Sequence, residues 1–192
     1  KIYGKLNLNN VKEIKQSAFS NARLSYNLPL DDTIRNKEIT LTNIDTIENT
    51  AFNNARFGGP VDVSYSNVQN AFNSCYFYKT FTMIDVDLIR QYTFKNAKFY
   101  DVVNMSNSIN KIHTTIIEQN AFQQATFEKF VNLSNINKIN DKAFNNGQET
   151  SSNQSAEIKD GINLSNIITI GKFSFYNASI SGDVDISNTT TI

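Results

Sequence analysis

Apolar and polar residues alternate at eight places along the chain: Leu6-x-Leu8, Ile39-x-Leu41, Val61-x-Val63, Phe81-x-Met83, Val103-x-Met105, Val131-x-Leu133, Ile162-x-Leu164 and Val184-x-Ile186. A period of two in β-branched and large apolar residues marks a short half-buried strand. Each stretch leads into a longer unit that reads I-x-L-S-N-I-x-x-I-x-x-x-A-F-x-N-A, most cleanly from Val131 to Phe144 and from Ile162 to Phe175. Its anchoring phenylalanines are Phe19, Phe52, Phe72, Phe94, Phe122, Phe144 and Phe175. The intervals Phe72 to Phe94 and Phe122 to Phe144 are both 22 residues.

A fixed period of this length defines a solenoid, in which no unit buries its apolar face alone. One strand per coil predicts a parallel sheet on one face, with strands about 4.8 Å apart and a total span of about 35 Å. Small residues at i and i+4 (Ala18/Ala22, Ala51/Ala55, Ala71/Cys75, Ala121/Ala125) share one face of a helical turn. The expected class is therefore an α/β solenoid, with irregular or helical turns opposite the sheet. Asn21, Asn54, Asn96, Asn146 and Asn177 suit the left-handed conformation that ends such a turn. Leu24, Phe57, Phe77, Phe99, Phe127 and Ile180 are expected to lead into the next strand. The Ser/Thr-Asn pairs, among them Ser106-Asn107, Ser134-Asn135 and Ser165-Asn166, predict a ladder of buried asparagines bonded to neighbouring backbone.

Departures from the unit are informative. The unit leading to Phe72 is two residues short, and Val68 stands in for its isoleucine. Extra residues fall between Phe19 and Phe52, where Leu28-Pro29-Leu30 competes with Ile39-Thr40-Leu41 as the strand. Others surround His113, and a polar insertion runs from Gln148 to Ala156, expected as a mobile surface loop. The small position after the phenylalanine is filled by Ala22, Ala55, Cys75, Ala97, Ala125, Gly147 and Ala178, so Cys75 reads as a core hydrophobe. The repeat covers residues 1–192, which predicts one domain. With no polar capping unit at either end, it is expected to be part of a longer array.

Composition narrows function by exclusion. Eighteen basic and eighteen acidic residues are interspersed, giving zero net charge, whereas a nucleic-acid binder carries a basic stripe. No apolar run approaches the roughly 20 residues of a membrane span. One cysteine and one histidine leave no disulfide framework and no Cys/His metal site. No P-loop, dinucleotide, H-E-x-x-H or G-x-S-x-G pattern occurs. The pairs Asp85/Asp87 and Asp183/Asp185 are carboxylates on one strand face, but solvated strand-edge charge is the commoner case. No catalytic residue, metal ligand or cofactor is expected.

The strand, I-x-x-I, A-F and Cys/Ala pattern resembles the BspA-like leucine-rich repeats over residues 2–192. It departs from them in having Ser-Asn after the strand, where the family often has a proline-containing turn. The resemblance implies a right-handed leucine-rich-repeat-like coil. It also implies a cell-surface or secreted protein of a host-associated bacterium or parasitic protist that binds a protein partner, host or matrix proteins included. A spacer that merely carries another domain is the alternative.

Binder and spacer differ on the exposed sheet face, where a binder shows clustered apolar side chains. One outward row (Asn7, Thr40, Asp62, Thr82, Asn104, Asn132, Asn163, Asp185) is uniformly polar. The row before it (Lys5, Glu38, Pro60, Thr80, Val102, Phe130, Gly161, Asp183) is not. Val102 and Phe130, with Tyr78 and Tyr100 beside them and Asn104 and Asn132 as hydrogen-bonding neighbours, form the candidate docking patch.

Overall fold

The computed structural model describes residues 1–25, 37–108, 115–145 and 156–192. Among them every regular element is a strand of two residues. Every pairing between strands is parallel. The first sheet has eight strands in chain order: Leu6–Asn7, Ile39–Thr40, Val61–Asp62, Phe81–Thr82, Val103–Asn104, Val131–Asn132, Ile162–Asn163 and Val184–Asp185. These are the eight alternating stretches. In most of them the first residue is buried and the second half-exposed. Leu28-Pro29-Leu30, His113, Asn146, Gly147 and residues 148–155 lie outside the described residues.

A second sheet of seven strands was not anticipated. It comprises Arg23–Leu24, Arg56–Phe57, Tyr76–Phe77, Lys98–Phe99, Thr126–Phe127, Glu157–Ile158 and Ser179–Ile180. Leu24, Phe57 and their equivalents therefore do not lead directly into the first sheet. They point inward from strands of their own. In six coils a three-residue corner, such as Tyr100 to Val102, separates them from the next first-sheet strand. The isoleucines after the Ser-Asn pairs build the third side, with Leu88–Ile89, Ile116–Ile117, Lys138–Ile139 and Thr169–Ile170 in one sheet and Glu13–Ile14 with Thr46–Ile47 in another. In the short unit Val68 takes the isoleucine position, where a single bridge to Ile47 is all that remains of this side.

Of the irregular or helical turns expected opposite the sheet, the described residues have the irregular kind and no helix. Each Ala-Phe segment is a run of tight turns closed by i to i−3 bonds, as in Ala51 N–H to Glu48 O (3.2 Å), Asn53 N–H to Thr50 O (3.0 Å) and Ala55 N–H to Phe52 O (2.8 Å). In the segments of Phe19, Phe52, Phe94, Phe122 and Phe175 two residues adopt positive φ, whereas the short unit of Phe72 has only Ser74. One row is Asn21, Asn54, Ser74, Asn96, Gln124 and Asn177, the asparagine positions of the unit. The other is Ser17, Thr50, Tyr92, Asn120, Lys142 and Phe173, where residue type gives no hint. A helix is impossible with left-handed residues four apart. Instead, amides bond the coil above, as Phe52 N–H does to Ala71 O at 3.0 Å and Phe94 N–H to Ala121 O at 2.9 Å. The small position after Phe144 is filled by Ala156, which is fully buried and whose N–H bonds Phe144 O at 3.3 Å as Ala125 N–H bonds Phe122 O.

The core is one continuous cluster along the coil axis. All seven anchoring phenylalanines stack face to face, with successive centroids 4.5–5.6 Å apart. A second stack, Phe57, Phe77, Phe99 and Phe127, runs beside it at 4.8 Å spacing. Cys75 is buried among them; desolvation pushes its thiol far above the ordinary cysteine range.

The asparagine ladder is present in part. Asn43, Asn135, Asn166 and Asn188 adopt positive φ. Asn107 and Asn135 exchange Nδ2 bonds to each other's carbonyl at 3.0 and 3.2 Å. Asn166 and Asn188 instead bond the side-chain oxygen of the asparagine one coil before, each at 3.1 Å. Only Asn107 is fully buried. Asn135 and Asn166 are half-buried.

Candidate functional site

The three-residue corners between the second and first sheets repeat in register, so each corner position becomes a row along the coil axis. The row leaving the second sheet is Ser25, Gly58, Tyr78, Tyr100, Glu128, Lys159 and Ser181. Tyr78 and Tyr100 are held at equivalent positions by their amides, which bond Phe57 O at 3.0 Å and Phe77 O at 2.9 Å. Their rings stack with centroids 5.0 Å apart and planes parallel. The row entering the first sheet carries Val102 and Phe130 on adjacent coils, because Val103 pairs with Val131. Asp101 Oδ1 fixes the bend by accepting the Val102 N–H at 2.8 Å.

Tyr100, Val102 and Phe130 are 39%, 39% and 37% exposed; Tyr78 is half-buried under its partner. Asn104 and Asn132 are half-buried, and their Oδ1 atoms are already used. Asn104 Oδ1 accepts from the Ser106 hydroxyl at 2.8 Å and N–H at 3.3 Å. Asn132 Oδ1 accepts from Ser134 N–H at 3.1 Å. Asp62 and Asp185 do the same for Ser64 and Ser187, both at 2.9 Å. That bond holds Asp185 below the usual carboxylate range. The oxygen in this row is thus a turn device, and only Nδ2 of Asn104 and Asn132 is left to face a partner.

The outward face of the second sheet, missed in the sequence, is richer. Arg56 lies over the Tyr76 ring at 5.1 Å, and Lys98 lies over it from the next coil at 6.0 Å. Farther along, Lys159 bridges Glu128 at 2.8 Å and Glu157 at 3.6 Å, and the Glu128 contact raises its pKa. Between these groups lies a groove of about 820 Å³ that Lys98, Tyr100, Gln124, Thr126, Glu128 and Glu157 help to line. Strands of two residues show no periodicity, so no pattern marked this face beforehand. Exposed Tyr65, Phe173 and Tyr176 were also not singled out; the last two pack edge to face at 5.6 Å.

One member of each acid pair, Asp85 and Asp185, accepts a bond from a backbone N–H. Asp85 is buried, and its carboxylate accepts from the Ser108 N–H at 2.8 Å and hydroxyl at 2.9 Å. Among the described residues no three His, Cys, Asp or Glu side chains converge on a metal position. Nor is there among them a helix long and apolar enough to cross a membrane.

Stacked parallel coils with one strand per side and an aromatic core define a repeat solenoid. The family model of the BspA type leucine rich repeat region matches in six copies, over residues 31–151 and 115–192. The chain belongs to that family. Comparison with curated proteins and with solved structures gives no match.

Proposed function

We propose that the chain is a non-enzymatic protein-binding module of a cell-surface or secreted protein, and that its partner docks on the corner formed by Tyr78, Tyr100, Val102 and Phe130. The observation that carries this reading is the exposure of three large apolar side chains at mid-array corner positions. The same positions elsewhere hold Lys5, Glu38, Gly58, Lys159 and Asp183. Apolar and aromatic groups rimmed by polar ones concentrate interface energy. Asn104 and Asn132 border the patch and offer amide donors.

The test is solid-phase binding of the purified chain to collagen, laminin and fibronectin, as representative matrix proteins, beside a Tyr100→Ala/Phe130→Ala double variant. Saturable binding by the parent and its loss in the variant, with an unchanged thermal melt, is the expected result. Equal binding by the variant moves the docking site elsewhere. No binding by either favours the spacer reading.

A further inference from the structure

We propose that the groove on the outward face of the second sheet binds a neutral saccharide. The site is separate from the protein-docking corner except for Tyr100, which borders both.

The first argument is shape. The groove measures about 820 Å³, within the roughly 300–1,000 Å³ of small-molecule sites. Its lining runs over four successive coils, from Lys98 through Thr126 and Glu157 to Ser179, as an extended ligand requires.

The second is the aromatic wall. Tyr100 stacks on Tyr78 with parallel planes, so one ring face is covered by its partner and the other looks along the row toward Glu128. The Glu128 carboxylate is held by Lys159 on the following coil at 2.8 Å. Tyr100 is thus a partly exposed aromatic side chain on the wall of a polar groove. The negative face of an aromatic ring attracts the weakly positive C–H groups on one side of a pyranose.

The third is charge. Lys98, Lys159, Glu128 and Glu157 all line the groove, and Lys159 is paired with both glutamates at 2.8 and 3.6 Å, so the two cations and two carboxylates cancel. A phosphate, a sulfated glycan or an acidic peptide would meet as much repulsion as attraction. A purely apolar ligand would desolvate these ions without replacing their hydrogen bonds. A neutral polyhydroxylated ligand satisfies both constraints: its hydroxyls donate to Glu128 and Glu157 and accept from Lys98, while the Gln124 amide and Thr126 hydroxyl do either. Fixed polar groups around one aromatic platform give orientation without net charge.

The test uses the whole chain with glucose, galactose, mannose and N-acetylglucosamine trisaccharides, and with a sulfated trisaccharide as the charged arm. Binding is read by titration calorimetry and by saturation-transfer NMR. The expected result is that at least one neutral trisaccharide binds with a dissociation constant at or below about 1 mM, while the sulfated one binds more weakly. Tyr100→Ala should weaken binding about tenfold, and Thr126→Val, which keeps the strand-forming shape and removes only the hydroxyl, should weaken it about threefold. Tyr3→Ala, an exposed tyrosine at the N-terminal coil, should leave it unchanged. Absence of saturable binding by all four neutral sugars overturns the proposal, as does preferential binding of the sulfated sugar. So does full affinity in both groove variants. Matrix-protein binding that is lost on Phe130→Ala, in a chain that binds no sugar, leaves the docking reading standing and removes this one.

Discussion

Phe94→Ala is the substitution that tests the stacked core most directly. Phe94 is fully buried, with Phe72 at 5.6 Å on one side and Phe122 at 5.3 Å on the other, both parallel. Phe81 meets it edge to face at 5.4 Å, and Phe99 at 5.6 Å in a tilted arrangement. Truncating a buried phenylalanine costs about 3–5 kcal/mol, more where the surroundings do not collapse. Each aromatic pair adds about 0.5–1.5 kcal/mol beyond the area buried. Here the rings on both sides are fixed by their own coils, whose amides are bonded to the next turn, so the cavity cannot close. The cost belongs near 5 kcal/mol. Phe175 is the comparison: it has one stacked neighbour, Phe144 at 4.5 Å, and is partly exposed. Phe175→Ala should cost about half as much. Because coils couple mainly to neighbours, the mid-array lesion should also weaken cooperation between the two halves and lower the denaturant m-value. Urea titration followed by circular dichroism measures both. A loss at Phe94 no larger than that at Phe175, with m unchanged, would refute the stacked-row account.

Three further outcomes follow from specific contacts. Asn135 sits at φ 60°, so Asn135→Gly should be more stable than Asn135→Ala by about 1 kcal/mol although both lose the bonds to Asn107 and Asn166; equal melting temperatures would argue against backbone strain as the reason for asparagine there. Gly182→Ala places a Cβ 2.7 Å from the Gly161 amide nitrogen at φ +83°, and a fall in melting temperature of several degrees is expected. The Cys75 thiol is fully buried with its pKa pushed up by desolvation, so alkylation by iodoacetamide at pH 8 should track unfolding, and rapid labelling of the native chain would contradict its placement.

The first sheet was legible because its strands carry alternation: Val131-x-Leu133 buries two side chains and leaves Asn132 half-buried between them. The phenylalanine row was legible because one bulky residue recurs at a fixed interval. The second sheet was not, since Arg56–Phe57 or Lys98–Phe99 offers a single inward residue, too little for a period. The tight turns were misread as helical because two geometries bring small residues four apart onto one side. A helix does so by its 3.6-residue turn, and here successive β-turns do so through residues such as Thr50 and Asn54 at positive φ. Asparagine announces that conformation at position 54; threonine at position 50 does not. At the 148–156 insertion, identity alone favoured Gly147 as the small residue, whereas only the bond from Ala156 to Phe144 O identifies the residue that returns to the core.

The same register that builds the fold also explains where recognition is to be sought. In a solenoid each outward position becomes a row, and rows of like composition are the default: asparagine or aspartate in the first sheet serves its own turn in coil after coil. A site requires a row to change character over a few coils. The corner row changes from Gly58 to Tyr78 and Tyr100 and then to Glu128 and Lys159, which places an aromatic pair beside an ion pair at the edge of the groove. The adjoining row changes at the same coils, from Thr80 to Val102 and Phe130 and then to Gly161. Two independent rows break on neighbouring coils, one on each side of a three-residue corner. Core packing requires neither break, because Tyr100, Val102 and Phe130 are exposed; the proposed contact with a partner outside the coil would account for both.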